Sequence, residues 1–269
     1  MKDLIQLYSV ESVHPHENDI YSWIVEWMER HNIDFDTDGK NIWKLTGEQI
    51  ILSAHMDQVE TNGRAVHFYQ KDKMIRGYNK DYEQTSLGAD DKNGVWIILK
   101  CLEDDPNTNF IISHGEESGC VGISELKNVL KSNVCHNNIC IVLDRRGFGE
   151  VLNGGSSCSY CNTLARVLCN YWNQDFEDEI FFVERGTVSD ANIISEYCEC
   201  VNVSVAYYNA HTKEEKTNFD ELLFTMNMVK SLKDFVYYPC KVETFKTKRA
   251  WEDDRFNYGY DRQRQLSFY

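Results

Sequence analysis

Residues 110–122, FIISHGEESGCVG, place two adjacent carboxylates directly after an apolar run. The run 110–113 predicts a buried strand, and small residues surround Glu116 and Glu117 in the turn that follows. Because like charges side by side repel each other, such a pair is expected to bind a metal ion, share a catalytic proton or lie in solvent. Taken alone, the pair is equally compatible with a solvated turn.

Composition narrows the classes of protein that this chain of 269 residues can belong to. Hydrophobic residues make up 42% and charged residues 26%, which is typical of globular proteins. The net charge of −15 argues against nucleic acid as a partner, because phosphate backbones need clustered Lys and Arg. With no run of about 18 apolar residues and no apolar leader at the N-terminus, we expect no membrane span and a cytoplasmic location. The 10 cysteines are then expected to be reduced thiols.

Apolar segments and amphipathic segments alternate along most of the chain. This alternation predicts a three-layer α/β/α domain with a mixed, mostly parallel central sheet. We assign this domain to residues 1–238 and a polar, aromatic tail to residues 239–269, which hold 7 Lys/Arg against 5 Asp/Glu. Strands are predicted at 41–45, 49–53, 110–113, 138–143, 180–183 and 199–208, with a hairpin at 66–77. Helices are predicted at 17–30, from the 85–94 segment to 102, and at 121–130, 157–172, 189–197 and 219–236.

Residues that suit metal ions follow four of the predicted strands. In open α/β sheets, residues at the carboxyl ends of neighbouring strands gather at one edge, however distant they are in sequence. A fifth cluster, Asp90-Asp91, lies at the start of a helix after a glycine-containing loop. Imidazoles and carboxylates converging at one edge suit a pair of zinc-type sites. The residues after the four strands are His55 and Asp57, Glu116 and Glu117, Asp144, and His211.

Each of these residues also has an ordinary structural explanation. Asp90 could offset the dipole of the helix that it begins. Asp144 could form an ion pair with Arg145 or Arg146. His211 could be a core or loop histidine whose hydrogen bonds are satisfied locally. The joint pattern favours a metal site, because five such clusters at strand and loop ends are improbable by chance.

The order of the motifs resembles that of the co-catalytic dinuclear zinc exopeptidases, which include the tripeptidase and carboxypeptidase group and the related zinc aminopeptidases. The motifs are His-x-Asp, Gly-Ala-Asp-Asp-Lys-x-Gly, Glu-Glu-x-Gly, Asp and a late His. The segments LIQLYSVESVHPHE (4–17), GTVSDANIIS (186–195) and YYNAHTKEE (207–215) resemble the same family. The resemblance covers about residues 4–236.

The resemblance implies a role for each matching residue. His55 binds one of two divalent ions and Asp57 orients its imidazole, while Asp90 bridges the ions. Glu116 is the general base. The implied ions are Zn²⁺, with Co²⁺ or Mn²⁺ as alternatives. The implied metal ligands are His55, Asp90, Glu117, Asp144 and His211, with Glu117 and Asp144 on different ions.

The predicted function is that of a di-zinc metallopeptidase, an aminopeptidase that hydrolyses peptide bonds. Two alternatives stay open: a hydrolase of another amide, such as an N-acyl amino acid deacylase or a carboxypeptidase, and a non-catalytic metal-binding relative. Only 66 residues separate Asp144 from His211, where the larger relatives insert a lid or dimerisation domain. We therefore expect the compact layout, and a peptide or small amide as substrate. The sequence leaves the side-chain preference and the oligomeric state open.

Overall fold

The computed structural model describes residues 1–13, 17–155 and 160–239. Strands and helices alternate through these ranges, and a 3₁₀ helix at Ser231–Asp234 follows the last α helix. The strands are β1 (Asp36–Thr37), β2 (Ile42–Lys44), β3 (Ile50–His55), β4 (His67–Lys71), β5 (Met74–Tyr78), β6 (Gln84–Thr85), β7 (Asn109–Ser113), β8 (Ile139–Arg145), β9 (Glu150–Leu152), β10 (Phe182–Glu184), β11 (Glu199–Ser204), β12 (Tyr207–Tyr208) and β13 (Lys216–Asn218). The helices are α1 (Lys2–Tyr8), α2 (Asn18–Arg30), α3 (Ala89–Asp104), α4 (Val121–Glu125), α5 (Lys127–Asn133), α6 (Asn162–Asn173), α7 (Ala191–Ile194) and α8 (Phe219–Lys230).

The central sheet has eight strands in the order β1-β2-β7-β3-β8-β11-β9-β10. The four pairs β7/β3, β3/β8, β8/β11 and β9/β10 are parallel, and the other three are antiparallel. The middle strands β7, β3, β8 and β11 are buried almost throughout, as the continuous apolar runs predict. The predicted fold class, a mixed and mostly parallel sheet within an α/β fold, is confirmed.

Helices cover both faces of this sheet. Successive side chains of a strand point to opposite faces, so a continuous apolar strand needs a core on each side. On β8, Ile139, Ile141 and Leu143 pack into a core formed with α1, α2, α3, α6 and α8. The intervening Cys140 and Val142 pack into a second core with α4, α5 and α7. The two cores give the three-layer arrangement.

A second sheet, antiparallel and smaller, has the order β12-β13-β5-β4, with β6 paired to β5. The predicted hairpin at 66–77 forms β4 and β5 of this sheet. The predicted strand at 199–208 is wrong in its second half, because the chain leaves the central sheet after Ser204. Ala206 lies at φ 63°, and the bend redirects Tyr207 and Tyr208 into the second sheet.

Several smaller boundaries also differ from the predictions. The helix predicted at 157–172 begins at Asn162, and residues 157–159 lie outside the described ranges. The helix predicted at 189–197 is the short α7, whose N-cap is Asp190 rather than Ser189. The short strands β1 and β9 and the helix α1 were not predicted. The proposed tail at 239–269 lies, except for Pro239, outside the described residues.

Two sequence expectations bear on the rest of the described chain. The eight cysteines in the described ranges are free thiols. Within those ranges, no helix combines the length and the apolar character that crossing a lipid bilayer requires.

Candidate metal centre

The parallel strands β3, β7 and β8 bring three of the motifs to one edge of the central sheet. His55 ends β3 and lies opposite Ser113, the last residue of β7, from which the Glu pair follows. On the other side of β3, Ser53 lies opposite Val142, so Asp144 comes two residues further along β8 at the same edge. Chain segments almost 90 residues apart therefore meet because neighbouring parallel strands end together.

Asp90 lies between the two histidines of the motif series. It stands at the start of α3 with non-helical backbone angles, φ −86° and ψ 99°, and the peptide bond to Asp91 is cis. Its Oδ1 is 3.3 Å from His55 Nε2, and its Oδ2 is 3.2 Å from His211 Nε2. One carboxylate thus offers one oxygen to each imidazole, which is the arrangement of a bridging ligand.

The five predicted ligands form two groups that share Asp90. In the first group, His55 Nε2 is 3.3 Å from Asp90 Oδ1 and 3.6 Å from Asp144 Oδ1. In the second, His211 Nε2 is 3.2 Å from Asp90 Oδ2 and 2.6 Å from Glu117 Oε1. Within each group, one ligand atom from every residue lies within 4.8 Å of the others. The structure therefore brings all five predicted ligands together.

The chemistry of these donors fits divalent ions. His55 Nε2 and Asp90 Oδ1 are buried, yet neither has a hydrogen-bond partner of acceptable geometry among the described residues. Buried polar atoms are almost always satisfied, so two orphaned donor atoms facing each other indicate a ligand between them. Neutral imidazoles and carboxylates are the ligand types that Zn²⁺ prefers, and the number of carboxylates also suits Mn²⁺ or Co²⁺.

Asp57 supports two parts of the cluster at once. Its backbone carbonyl accepts a hydrogen bond from His55 Nδ1 at 3.1 Å, and its Oδ1 lies 3.3 Å from the same nitrogen. The carboxylate also accepts hydrogen bonds from the backbone N–H groups of Glu116, at 2.9 Å, and Glu117, at 3.1 Å. The fully buried Asp57 therefore directs His55 Nε2 toward Asp90 and fixes the turn that carries the Glu pair.

Glu116 faces the first group without belonging to its closest contacts. Its Oε2 is 3.9 Å from His55 Nε2, and its Oε1 is 3.8 Å from Cys120 Sγ. Burial, with repulsion from Asp144, Asp190 and Glu117, raises the pKa of Glu116 to about 9, against the opposing effect of His55. A carboxyl group in this environment has a high affinity for a proton.

The cluster as a whole has more carboxylates than its imidazoles can balance. Hydrogen bonds to Asp90 and Glu117 raise the pKa of His211 to about 10. Burial raises the pKa of Asp144 to about 7, although His55 opposes the shift. Protons or cations must offset this concentration of negative charge, and divalent ions between the two groups would offset it most directly.

One supporting residue, Glu215, was missed in the sequence. It is 1% exposed, and its carboxylate accepts hydrogen bonds from the Ser86 hydroxyl at 2.6 Å and from the backbone N–H groups of Ala89 at 3.2 Å and Asp90 at 3.1 Å. Glu215 thereby ties the loop after β12 to the start of α3. The segment YYNAHTKEE contains it, but the sequence alone does not distinguish it from the exposed Glu214.

Of two further buried groups next to the cluster, Asp190 was also missed, whereas Tyr207 precedes a predicted ligand in the sequence and was a candidate for lining the pocket or packing in the core. Asp190 accepts a hydrogen bond from the Ser113 hydroxyl, and its other carboxylate oxygen is unpaired among the described residues. Burial raises the pKa of Asp190 to about 6. The Tyr207 hydroxyl donates to Asp144 Oδ1 at 3.5 Å, so this tyrosine contacts a predicted ligand in addition to packing in the core. The motif GTVSDANIIS was the available signal for Asp190.

The ordinary structural explanation of Asp144, an ion pair with Arg145 or Arg146, finds no support among the described residues. Arg145 forms its ion pair with Glu150, its Nε lying 2.5 Å from Oε2, so it does not neutralise Asp144. His114 Nε2 contacts Glu125 at 2.8 Å instead of a member of the cluster. Asp91 accepts hydrogen bonds from the backbone N–H groups of His55 and Gly94 and is fully buried.

Comparisons with known proteins find similarity in fold. No protein-family model matches the chain, and no curated protein matches it by sequence. Aminopeptidase PepT from Bacillus cereus superposes with a TM-score of 0.69 at 18% identity, over 86% of this chain and 96% of that one. A tripeptidase from Staphylococcus aureus gives a TM-score of 0.69 at 16% identity, over the same shares. The TET1 peptidase of Pyrococcus horikoshii, which assembles into a tetrahedron or a large octahedral shell, gives 0.62 at 14% identity over 86% and 98%.

These superpositions cover most of both chains, so this chain has the fold of those peptidases. The resemblance that the motifs indicate is confirmed at the level of the fold.

Proposed function

We propose that this chain is an aminopeptidase that holds two divalent metal ions, Zn²⁺ in the first instance, and hydrolyses peptide bonds. The observation that carries the proposal is the position of Asp90, whose two carboxylate oxygens lie 3.3 Å and 3.2 Å from the Nε2 atoms of His55 and His211. A carboxylate that bridges two cations is typical of two-metal hydrolytic sites. The fold that the chain shares with known aminopeptidases supports the same assignment.

His55, Asp90 and Asp144 would hold one ion, and Asp90, Glu117 and His211 the other. Such ions, when bound, supply a Lewis acid that activates water and polarises the scissile carbonyl. Asp57 keeps His55 Nδ1 occupied, which leaves Nε2 free as the ligand atom.

Glu116 is the group placed to move the proton. It lies within 4 Å of His55 and outside both of the shared-Asp90 groups, each of which has three ligands without it, although Glu116 is also close enough to His55 and Glu117 to form a group with them. Its raised pKa, about 9, suits a group that accepts a proton from water and returns it to the leaving amine. The bound ions would lower this pKa toward the working range, because nearby positive charge favours the ionised carboxylate.

A cavity beside the cluster has room for a peptide. It measures about 580 Å³ and is lined by Asp90, Glu116, Glu117, Asp144 and His211 on the side of the cluster. Its volume lies within the range of small-molecule sites, roughly 300–1,000 Å³, and matches a short peptide better than a folded protein. The expected cytoplasmic location and the expectation of a peptide or small-amide substrate stay predictions.

The replacement Glu116→Gln tests the proposal. We expect the variant to retain two metal ions per chain, measured by elemental analysis after gel filtration, and to lose hydrolysis by about 10²- to 10⁴-fold, the usual contribution of a general base. The exposed Glu177→Gln variant is the matched control and should behave as the parent.

The substrate panel separates the proposed activity from its alternatives. Aminoacyl amides report aminopeptidase activity, N-acetylated peptides report carboxypeptidase activity, and N-acyl amino acids report deacylation. Near-parental activity of Glu116→Gln would refute the role of Glu116. Two bound metals with no hydrolysis of any substrate by the parent would favour a non-catalytic relative.

A further inference from the structure

A buried cysteine lies next to Glu116, apart from the predicted metal ligands. Cys120 is 4% exposed and stands directly before α4. The motif Glu-Glu-x-Gly ends before this residue, so the resemblance assigns it no role. Among the cysteines that the structure describes, Cys120 alone belongs to a group of three residues whose donor atoms are close enough to share an ion. Its partners in this group are Glu116 and Asp190.

The two carboxylate oxygens of Glu116 face different groups. Oε2 is 3.9 Å from His55 Nε2 in the metal cluster, whereas Oε1 is 3.8 Å from Cys120 Sγ. Two ligands of one tetrahedral zinc ion lie about 3.5 Å apart, given the usual lengths of zinc–oxygen and zinc–sulfur bonds. The distance from Oε1 to Sγ is close to this value, so both atoms can bind one ion after a small shift.

Asp190 supplies the third donor. It is 2% exposed, and its Oδ2 accepts a hydrogen bond from the Ser113 hydroxyl, which holds the carboxylate in place. Its Oδ1 is buried and has no hydrogen-bond partner of acceptable geometry in the described part of the chain. One donor atom from each of Glu116, Cys120 and Asp190 lies within 4.8 Å of the others. Buried carboxylate oxygens are almost always satisfied, so the unpaired Oδ1 beside two other donors indicates a ligand.

An ion can reach this group from the cavity beside the metal cluster. Glu116 lines that cavity, and so does Ser189, the residue before Asp190. A thiolate with two carboxylates suits Zn²⁺ or the softer ion Cd²⁺. Burial, with the charges of Asp190 and Glu116, raises the pKa of the Cys120 thiol, so an ion must displace its proton. We therefore expect this group to bind an ion less tightly than the metal cluster does.

We infer that Glu116, Cys120 and Asp190 form a third cation site, which binds Zn²⁺ or Cd²⁺ through the Cys120 thiolate and thereby inhibits hydrolysis. The inhibitory part rests on the proposed function. An ion bound to Oε1 holds the Glu116 carboxylate as a ligand. Its positive charge also favours the ionised carboxylate, which then no longer takes a proton from water. The active protein thus holds two ions and the inhibited protein three.

Absorption spectroscopy with Cd²⁺ tests the site without any substrate. The parent protein holding two Zn²⁺ ions per chain is titrated with Cd²⁺, and the ultraviolet charge-transfer band of a cadmium–thiolate bond is recorded. The predicted ligands of the metal cluster include no cysteine, so an exchange of ions there gives no such band. We expect a band with the amplitude of one cadmium–thiolate bond per chain, which is lost in Cys120→Ser.

Two further variants complete the binding experiment. Cys135→Ser replaces an exposed cysteine between α5 and β8, and it should keep the band. Asp190→Asn keeps the shape of the side chain but removes the charge of a proposed ligand, and it should lose the band at Cd²⁺ concentrations that saturate the parent. Absence of the band from the parent, its persistence in Cys120→Ser or Asp190→Asn, or its loss in Cys135→Ser would overturn the inference.

Hydrolysis at rising concentrations of free Zn²⁺ tests the inhibitory part. The activity of the parent should fall on the order of 100-fold as the third ion binds, the usual contribution of a general base. Cys120→Ser, compared with its own activity at two ions per chain, should show no such loss over the same range. Equal inhibition of both proteins, or a band that depends on Cys120 without inhibition of the parent, would overturn the inhibitory role.

The proposed function fails separately, when the parent protein hydrolyses no member of the substrate panel. The cadmium band would test the third site even then, because it is measured without hydrolysis.

Discussion

The replacement Glu215→Gln tests how the second sheet supports the metal cluster. Glu215 lies after β12, and its carboxylate receives three hydrogen bonds, from the Ser86 hydroxyl and from the N–H groups of Ala89 and Asp90. Glutamine has nearly the same shape but offers one acceptor oxygen and one N–H₂ group. Whichever way the amide is turned, one backbone N–H at the start of α3 faces a donor.

The structure sets the size of the effect. A buried N–H without an acceptor costs about 1–3 kcal/mol, and the remaining bonds each lose roughly 1 kcal/mol when the acceptor is no longer charged. Burial and the nearby charge of Asp90 raise the pKa of Glu215, which means that the charged carboxylate is itself unfavourable at this position. Replacing it with a neutral amide therefore offsets part of the lost stability. We expect the free energy of unfolding to fall by about 2–4 kcal/mol, or the melting temperature by on the order of 10 °C.

Urea unfolding of the metal-free protein measures the loss directly, and Glu214→Gln is a closely matched control because that neighbour is exposed. Metal titration should show weaker binding of both ions in Glu215→Gln, since the N–H of the bridging Asp90 is among the groups released. Equal unfolding midpoints for Glu214→Gln and Glu215→Gln would refute the reasoning, as would a variant that loses stability but keeps parental metal affinity.

Two further predictions concern the metals themselves. Asp57→Asn removes the negative charge beside His55 Nδ1 and replaces one of the two oxygens that accept from the N–H groups of Glu116 and Glu117. Metal affinity, measured with a competing chelator, should therefore fall about 10- to 100-fold. Unchanged affinity would contradict the supporting role of Asp57. Because His211 has a pKa raised to about 10, its imidazole carries a proton at pH 7 that a metal must displace. Metal binding should therefore release protons and strengthen as the pH rises, and calorimetry at pH 7 in two buffers of different ionisation enthalpy should show it; the same apparent enthalpy in both buffers would count against it.

The sheet and four of its cluster positions could be predicted because the signals are local. Each continuous apolar run, such as 138–143, identifies a buried strand, and the polar residue after it marks the end of that strand. Parallel packing then places the ends of β3, β7 and β8 at one edge without further information. His55, Glu116, Glu117 and Asp144 follow from this rule.

The second sheet could not be predicted in the same way. Tyr207 and Tyr208 continue an apolar, β-branched segment, and nothing in their identity marks the bend at Ala206, a non-glycine residue at positive φ. The bend depends on tertiary contacts, among them the hydrogen bond from Ala206 N to the Gly147 carbonyl at 2.9 Å. Glu215 was missed for the same reason, because its hydrogen bonds are to backbone N–H groups more than 120 residues away in the sequence.

Carboxylates that are not ligands connect the short motifs to one another. Asp57 stands two residues after His55 yet binds the backbone of the Glu pair, and Asp91 stands next to Asp90 yet binds the backbone N–H of His55. These two motifs thus each contain one ligand and one residue that positions a ligand from another motif. A change in one motif should therefore disturb metal binding at a neighbouring one. The ligands of the cluster therefore depend on one another through these hydrogen bonds and do not act as five independent residues. Glu215, next to the second sheet, adds a further hydrogen bond to the backbone N–H of Asp90.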